Sequence, residues 1–320
     1  MHFPSIMALA MLAPGVAHGA HATIPQIQAL PAPATFNVAA NNHIQTMRFL
    51  AHDAIGITSD LSGSLTGLDL NDGMAFAPDG SLWSANVGVL NHPPALEHFA
   101  KGATGNSAPL ATITCGLSEP TNVAVDAAGN VYALNRLSET VAVFAPTQNG
   151  CATPIAVIGG SKTGLSQGMT AINVDAAGRI YVGSFQNAEV VVFAPGANGN
   201  VAPIGVLKRG VSGVSSIAFD KQQNVYVANV DLGSIEIYAP GKFGVNVAPI
   251  RQIDGSLAAR PSSIAITPDQ RLFTLNFIST LHEVFEYPAG AGGSVQPVAI
   301  WDSVVNPALG FVNNLITPFR

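Results

Sequence analysis

Thirteen residues, Val192–Ile204, read VFAPGANGNVAPI and combine two glycines, two prolines and two asparagines. A glycine-rich loop of this kind can either bind a phosphate or form a turn between two strands. Similar segments occur four more times, whereas a phosphate site needs one special loop followed by a helix. We therefore interpret the stretch as a repeated turn between two strands. The other copies are HFAKGATGNSAPL from His98, VFAPTQNGCATPI from Val143, IYAPGKFGVNVAPI from Ile237 and EYPAGAGGSVQPV from Glu286.

The repeat has a nearly constant period. Its aromatic anchors lie 45, 49, 45 and 49 residues apart, at Phe99, Phe144, Phe193, Tyr238 and Tyr287. A second element, VAVDAAGNVYALN at 123–135, recurs with the same period. Five copies at such spacing indicate a repeat architecture.

Each unit is predicted to form four short strands, which we call a, b, c and d. The strands are rich in β-branched and aromatic residues and are bounded by Gly, Pro, Asn and Asp. No segment has a long helical period, so we expect essentially no helix. Strand b carries a ring at one register in every unit, which we expect to pack between neighbouring sheets. These rings are Trp83, Tyr132, Tyr181, Tyr226 and Phe273.

Four-stranded units of this length favour an all-β fold, a β-propeller of four-stranded antiparallel blades. Five complete units occupy residues 72–303, and strand-like pieces remain at both ends, FNVAANNHIQTMRFL and ALGFVNNLITPFR. Sharing one blade between the two ends would pair edges that otherwise stay open. We therefore predict a six-bladed propeller whose last blade is closed by both termini, with five or seven blades as alternatives.

The first 22 residues resemble a signal peptide. An apolar run at 6–12 is followed by small residues and by Ala20-His21-Ala22, which fits a cleavage site. A disordered or buried N-terminal segment is the alternative. We predict a signal peptide at 1–22, a Pro/Ala-rich leader at 23–34 and a single β-propeller domain at 35–320. The predicted location is secreted, periplasmic or otherwise extracellular.

Composition restricts the possible partners. Only 10% of the residues are charged, and the net charge is −6, with no run of Lys or Arg. Such a chain lacks the basic patch that neutralises phosphates, so we exclude nucleic acid as a partner. No segment is long and apolar enough to predict a membrane span. We expect a monomer that binds an unknown protein or a cell-envelope ligand.

The chain has two cysteines, Cys115 and Cys151. An exported protein with two cysteines often joins them. Within the predicted blades, however, Cys115 ends strand d of one unit, and Cys151 lies in the c–d loop of the next. Those positions fall on opposite faces of the ring, beyond the reach of about 7 Å between Cα atoms. We therefore expect them to stay unpaired, with a disulfide as the alternative.

The repeat resembles the NHL-repeat family. The best local match is PTNVAVDAAGNVYALNRLSETVAVF, at 120–144, and the resemblance covers about 230 residues. It implies a six-bladed propeller. Propellers of this kind serve as protein-binding platforms, as extracellular sensor domains and, in related families, as lyases and lactonases. The fold does not decide among these functions.

Small polar residues recur where strand a begins and strand b ends. Because a and b are antiparallel, both positions fall on one face, at one mouth of the central channel. We predict binding residues there at Asp72, Asn86, Thr121, Asn135, Asn229 and Asn276. Further members of the ring are Thr170, Ser184, Ser215 and Ser262. The alternative is that these groups only satisfy neighbouring backbone.

Asp72 is the one acid of that ring. The stretch DGMAFAPDGSLW at 72–83 is similar to the opening motif of the gluconolactonase family, in which an acidic residue before Gly holds a divalent metal. The positions that match Asp72 in the other four units are Thr or Ser, and Asn122 lies one residue out of register. A single carboxylate is a poor site for Ca²⁺, which takes six to eight oxygens.

Two functions follow from these observations. The favoured one is an exported, non-catalytic propeller that acts as a binding scaffold, with no catalytic residue and no cofactor. The divergent loop at 87–96 is its expected contact region. The alternative is a metal-dependent hydrolase of lactones or esters of the gluconolactonase type. It would hold a divalent cation through Asp72 at the channel mouth.

Overall fold

The computed structural model describes residues 34–40, 43–49, 55–69, 71–88, 92–254, 260–278, 281–302 and 314–316. These ranges lie within one compact unit, Pro33–Arg320. The predicted signal peptide and nearly all of the leader lie outside them. The regular structure in these ranges is β-strand, as the repeat predicts.

Five sheets repeat one pattern of four antiparallel strands in chain order, and we number them as blades 1 to 5. Two strands of blade 1 are joined by a turn that begins at Ala77 and ends at Ser81, with Ala77 N–H donating to the Ser81 carbonyl at 2.8 Å. The next three blades use Asp126, Asp175 and Asp220 at the same point. Asp side chains favour such turns because they accept bonds from nearby backbone N–H groups.

The strand bounds before and within the first two blades are β1 Ala34–Ala40, β2 His43–Phe49, β3 Ile55–Ser62, β4 Asn71–Phe76, β5 Leu82–Asn86, β6 Ala95–Phe99, β7 Ala111–Ile113, β8 Pro120–Val125, β9 Val131–Asn135, β10 Thr140–Phe144 and β11 Ala156–Gly159. The bounds in the rest of the chain are β12 Met169–Val174, β13 Ile180–Ser184, β14 Glu189–Phe193, β15 Gly205–Leu207, β16 Val214–Phe219, β17 Val225–Asn229, β18 Ser234–Tyr238, β19 Arg251–Ile253, β20 Pro261–Ile266, β21 Leu272–Ile278, β22 Leu281–Tyr287, β23 Ala299–Asp302 and β24 Asn314–Ile316. Blade 1 is β4–β7, blade 2 is β8–β11, blade 3 is β12–β15, blade 4 is β16–β19 and blade 5 is β20–β23.

The prediction of a six-bladed propeller is wrong. Only five of the described sheets carry the continuous a–b–c–d pattern. The remaining sheet, which we call the terminal sheet, has the order β24-β1-β2-β3 and is assembled from two distant parts of the chain. Its first strand has three residues, paired through Asn37↔Ile316 to Ala39↔Asn314, and no hairpin joins it to β1. The architecture is therefore a β-propeller of five regular four-stranded blades, with the terminal sheet counted apart.

Four of the five rings on strand b, all but Phe273, are buried between neighbouring sheets, which confirms their predicted role. Trp83 packs with Val131, Ala133 and Phe144 of the next blade, and it is 1% exposed. Tyr132 lies in the following core with Met169. Each of these boundaries between sheets is thus a separate hydrophobic core. Burying a side chain of this size contributes about 1.5–3 kcal/mol.

The opening stretch is a c–d loop, as predicted, but it also crosses to the preceding blade. Gly199 forms a parallel bridge with Ile158, the outer strand of blade 2. Four more loops repeat the contact, through Gly105, Gly150, Gly244 and Gly293. These glycines have positive φ, and four of the five have values between 62° and 77°. The loop thus needs glycine for its backbone conformation.

The expectation of unpaired cysteines is wrong, because the structure joins Cys115 to Cys151 with their Cα atoms 4.6 Å apart. The reason is the crossing loop. Gly150 bridges to Ile113 of the preceding blade and thereby brings Cys151 beside Cys115. The expectation considered only how strands are arranged within one blade. That arrangement does not reveal this contact between two blades.

Candidate binding site

Each inner strand contains one β-bulge at the same place. In blade 1 the pairing shifts between Asn71 and Gly73, which leaves Asp72 as the extra residue. The other four bulges leave Thr121, Thr170, Ser215 and Ser262 in the same position. The predicted ring of small polar residues is therefore a ring of bulge residues. Bulges redirect a side chain away from the regular alternation of a strand.

Two of the bulge hydroxyls link adjacent blades. Thr170 donates to the carbonyl of Val214 at 2.5 Å, and Ser215 donates to the carbonyl of Pro261. In each pair the acceptor immediately precedes the bulge of the next blade. Ser262 donates instead to Leu275 within its own blade, at 3.0 Å. In the part of the chain that the structure describes, the buried Thr121 hydroxyl has no hydrogen-bond partner.

Asp72 occupies a bulge position with a carboxyl group where the other blades have a hydroxyl. It is partly buried rather than fully solvated. Burial raises the pKa of the Asp72 carboxyl to about 6, while nearby Arg136 lowers it and Glu119 raises it. A carboxyl with such a pKa can exchange a proton near neutral pH, so it is suited to acid–base chemistry.

Glu119 and Arg136 form an ion pair beside Asp72. Glu119 has φ of 55°, although Gly213 holds the same place before the inner strand of blade 4 with φ of 62°. A non-glycine residue in this region is strained, and strain of this kind clusters at functional sites. Sequence analysis missed this pair because neither residue belongs to the recurring polar ring.

The asparagines at the ends of strand b hold the chain's own backbone. Asn86 donates to the Gly67 carbonyl at 2.7 Å, Asn135 to Gly116 at 3.0 Å and Asn229 to Gly210 at 3.1 Å. Each amide oxygen also accepts from a backbone N–H two residues further along the same loop. All three side chains are buried. These residues fix the loop that leads into each inner strand, and their amides are occupied by it.

Asn276 and Ser184 differ from that pattern. Asn276 donates to the Thr274 hydroxyl at 2.8 Å and leaves its buried Oδ1 without a partner. Ser184 donates to the Gly168 carbonyl and accepts from the backbone of Asn187. The structure therefore brings the predicted site residues to one face of the ring but not to one common point.

A cavity of about 700 Å³ lies between the inner strands of all five blades, towards the face that carries the a–b turns. Its walls are partly apolar, with Met74, Phe76, Ile172, Ile217 and Ile266, and partly polar. A cavity of this size lies within the range of small-molecule sites. The predicted ring residues do not line this cavity, which opens at the other side of the bulges.

The polar lining of the cavity includes Asn122, Asn173 and Ser216 on the inner strands. It also includes residues at the a–b turns, namely Asp175, Asp220, Lys221, Gln223, Thr267 and Gln270. Asn122 donates to the Thr170 carbonyl at 3.1 Å and Asn173 to the Ile217 carbonyl at 3.0 Å. Ser216 accepts from the Ile264 N–H at 3.3 Å. Each contact joins neighbouring inner strands and fixes the cavity wall. Sequence analysis placed Asn122 out of register because the bulge before it is not visible in the sequence pattern.

Among the described residues no three His, Cys, Asp or Glu side chains cluster closely enough to hold a metal ion. The donor set around Asp72 is one carboxyl group with an ion pair nearby, and it does not fit a divalent cation that needs several oxygens. The loop at 87–96, which the sequence suggested as a contact region, is described except for residues 89–91. In its described part, His92 Nδ1 lies 2.6 Å from Asp69 Oδ2.

Neither a protein-family model nor a curated protein matches the sequence. Solved structures do match. A putative 6-phosphogluconolactonase from Bacteroides uniformis is 17% identical over 84% of this chain and 82% of its own, with a TM-score of 0.60. A protein of unknown function from Bacteroides caccae is 14% identical, over 90% of this chain and 100% of its own, with a TM-score of 0.60.

The β-propeller domain of Cps50 (Swd1) from Myceliophteria thermophila is also similar, at 10% identity over 83% of this chain and 86% of its own, with a TM-score of 0.53. At such identities these structures establish the propeller fold and nothing narrower. The resemblance to NHL-repeat proteins stays a prediction. In the part of the chain that the structure describes, no helix is long and apolar enough to cross a membrane.

Proposed function

We propose that this chain is an exported, non-catalytic β-propeller that binds a ligand in its central cavity. The cavity of about 700 Å³ between the five inner strands carries the proposal. Asn122 and Asn173 in its wall are held by bonds between blades, so this part of the wall is formed before a ligand arrives. A preformed wall lowers the entropy lost on binding.

Export is part of this proposal. The apolar run at 6–12 and the small residues after it support a signal peptide. The Cys115–Cys151 disulfide supports the same location, because disulfides persist mainly in oxidising compartments. A scaffold of the NHL-repeat type that binds a protein or a cell-envelope component would act there.

A titration with the apolar dye anilinonaphthalene sulfonate tests the binding function. We expect one saturable site per chain. Ala75 and Ser216 both line the cavity. Ala75→Phe and Ser216→Phe should therefore fill the cavity and weaken dye binding at least about tenfold. Ala108 is exposed in a c–d loop, so Ala108→Phe adds the same ring outside the cavity. Equal binding by all four proteins would contradict the proposal.

One observation favours lactone hydrolysis as a second candidate function. Asp72 has a raised pKa and lies beside the Glu119–Arg136 pair. Relatives in fold include proteins named putative 6-phosphogluconolactonases. A hydrolysis assay with gluconolactone, with and without Ca²⁺, distinguishes the two. We expect wild type to hydrolyse gluconolactone no faster than the uncatalysed reaction. Turnover by wild type that is lost in Asp72→Asn would instead identify hydrolysis as the main function.

A further inference from the structure

The face of blade 1 that packs on the terminal sheet is unusually polar. Leu82 and Phe99 on this face share a core with Ile44 and Leu61 of the terminal sheet. Ser84 follows Leu82 on the same face, because side chains alternate along a strand. Ser84 lies directly opposite Glu97 on β6. In blades 2 and 3 the same pair of positions is apolar, Ala133 with Ala142 and Val182 with Val191.

Among the described residues, three buried oxygens on this face have no hydrogen-bond partner, Glu97 Oε2, Ser84 Oγ and Asn71 Oδ1. Glu97 is 3% exposed, and both Ser84 and Asn71 are 0% exposed. Asn71 uses its amide nitrogen to donate to the His43 carbonyl, at 3.3 Å, which leaves its oxygen free for another group. A buried polar atom without a partner costs about 1–3 kcal/mol, and a charged one costs more.

The three residues lie in one patch of the face. Asn71 is opposite Asn86, Asn86 is two residues from Ser84 along β5, and Ser84 is opposite Glu97. Opposite residues of a sheet have Cβ atoms about 4.5–5.5 Å apart. Gly67 lies next to the Glu97 carboxyl group, and a Cβ at Gly67 would lie 3.3 Å from Glu97 Oε1. The missing side chain leaves room around the carboxyl group.

We propose that Glu97, Ser84 and Asn71 hold one monovalent cation, Na⁺ or K⁺, between blade 1 and the terminal sheet. The donor set is one carboxylate with a hydroxyl and an amide oxygen, all of which are hard ligands. One carboxylate neutralises a single positive charge, whereas a divalent ion would leave a net buried charge, which is expensive. The site is separate from the central cavity and independent of the function proposed there.

Blade 4 provides the comparison. Glu236 occupies the strand c position that Glu97 has in blade 1, and it is 2% exposed. Its Oε1 accepts from the Ser234 hydroxyl at 3.0 Å, and Gln252 also bonds to it. Asn86 likewise bonds to the Glu97 carboxyl group, but Glu97 Oε2 has no partner among the described residues, whereas no buried oxygen of Glu236 is left without one. Glu236→Gln is a matched control for Glu97→Gln.

The test uses the full protein, dialysed into a buffer with choline as its cation. Thermal unfolding is followed as NaCl, KCl or CaCl₂ is added, with choline chloride at equal ionic strength as reference. Ligands that bind only the folded state raise the melting temperature. We expect Na⁺ or K⁺ to raise it for wild type and for Glu236→Gln, and not for Glu97→Gln.

Ser84→Ala keeps the charge and removes one oxygen, which protects the test if Glu97→Gln does not fold. We expect it to weaken cation affinity about tenfold, or about 1.4 kcal/mol. Equal responses of wild type to sodium, potassium and choline would show an internal water cluster and overturn the proposal. An unchanged affinity in Ser84→Ala, or a Ca²⁺ response without a Na⁺ or K⁺ response, would overturn it too.

Discussion

Gly150 pairs with Ile113 across the boundary between blades 1 and 2. The Gly150 N–H donates to the Thr112 carbonyl at 2.7 Å, and the Gly150 carbonyl accepts from the Thr114 N–H at 2.9 Å. A third bond is donated by the Thr112 N–H to Asn149 Oδ1 at 2.8 Å. The loop of one blade thus continues the outer edge of the preceding blade. Outer strands that would otherwise expose free backbone groups gain partners in this way.

Gly150 should be sensitive to substitution for a conformational reason. Its φ is 67°, and a Cβ there would meet nothing within 4 Å. Gly150→Ala should therefore destabilise the protein by about 1–2 kcal/mol through backbone strain alone. Gly150→Asn should lose less, because Asn tolerates this conformation. Urea unfolding measures both, and equal losses would contradict the strain argument.

The disulfide should stabilise the same boundary. Its two cysteines are 36 residues apart in sequence, so removing the bond frees a long loop in the unfolded chain. Cys115→Ser with Cys151→Ser should cost about 3–4 kcal/mol of unfolding free energy. Thiol titration of the denatured wild type without reductant should find no free thiol. Two free thiols, together with unchanged unfolding of the double variant, would show that the bond does not form.

The bulge hydroxyls offer a matched pair of substitutions. Thr170 donates to Val214 of the next blade, and the Thr121 hydroxyl is buried without a partner. Thr170→Val should cost about 1–2 kcal/mol because the Val214 carbonyl loses its donor, while Thr121→Val should be neutral or stabilising. Thermal unfolding compares the two. The opposite order would show that these hydroxyls do not link the blades.

Asp72 should make stability depend on pH. Its pKa in the folded protein, about 6, is raised above the value of 3.8 for an exposed carboxyl. The folded state thus favours the protonated acid, and stability is lost as pH rises from about 4 through 6. Asp72→Asn should match wild type at pH 4 and melt higher at pH 7.5.

Asp79 is the control with the opposite sign. Hydrogen bonds from Ser81 lower the pKa of Asp79, so it contributes stability above its unfolded pKa and loses it in acid. Asp79→Asn should therefore melt below wild type at pH 7.5. Melting temperatures of Asp72→Asn that follow wild type at every pH would contradict the burial of its carboxyl group.

Local sequence patterns predicted the strands, the turns and the buried rings, because each depends on residues close in the chain. Trp83 and Tyr132 are examples, since their register alone places them between sheets. Contacts between blades were not predictable in this way. Cys151 reaches Cys115 only because a c–d loop crosses the boundary between two blades. The repeat pattern of the five blades likewise did not predict the different strand order of the terminal sheet.

The candidate site was predictable in part for the same reason. The positions of Asp72 and its equivalents recur with the repeat, so the sequence located the ring. The bulge that holds them is a backbone feature, and it turns Asn122 towards the cavity. Neither the cavity nor the role of Asn86 and Asn135 in holding backbone follows from residue type.

The most direct test of ligand binding in the central cavity is a crystal structure with anilinonaphthalene sulfonate bound. We expect one dye molecule between the inner strands, in contact with Phe76, Ile172 and Ile217 and within reach of Asn122 or Ser216. Dye found only on the outer rim, with solvent alone in the cavity, would contradict ligand binding there.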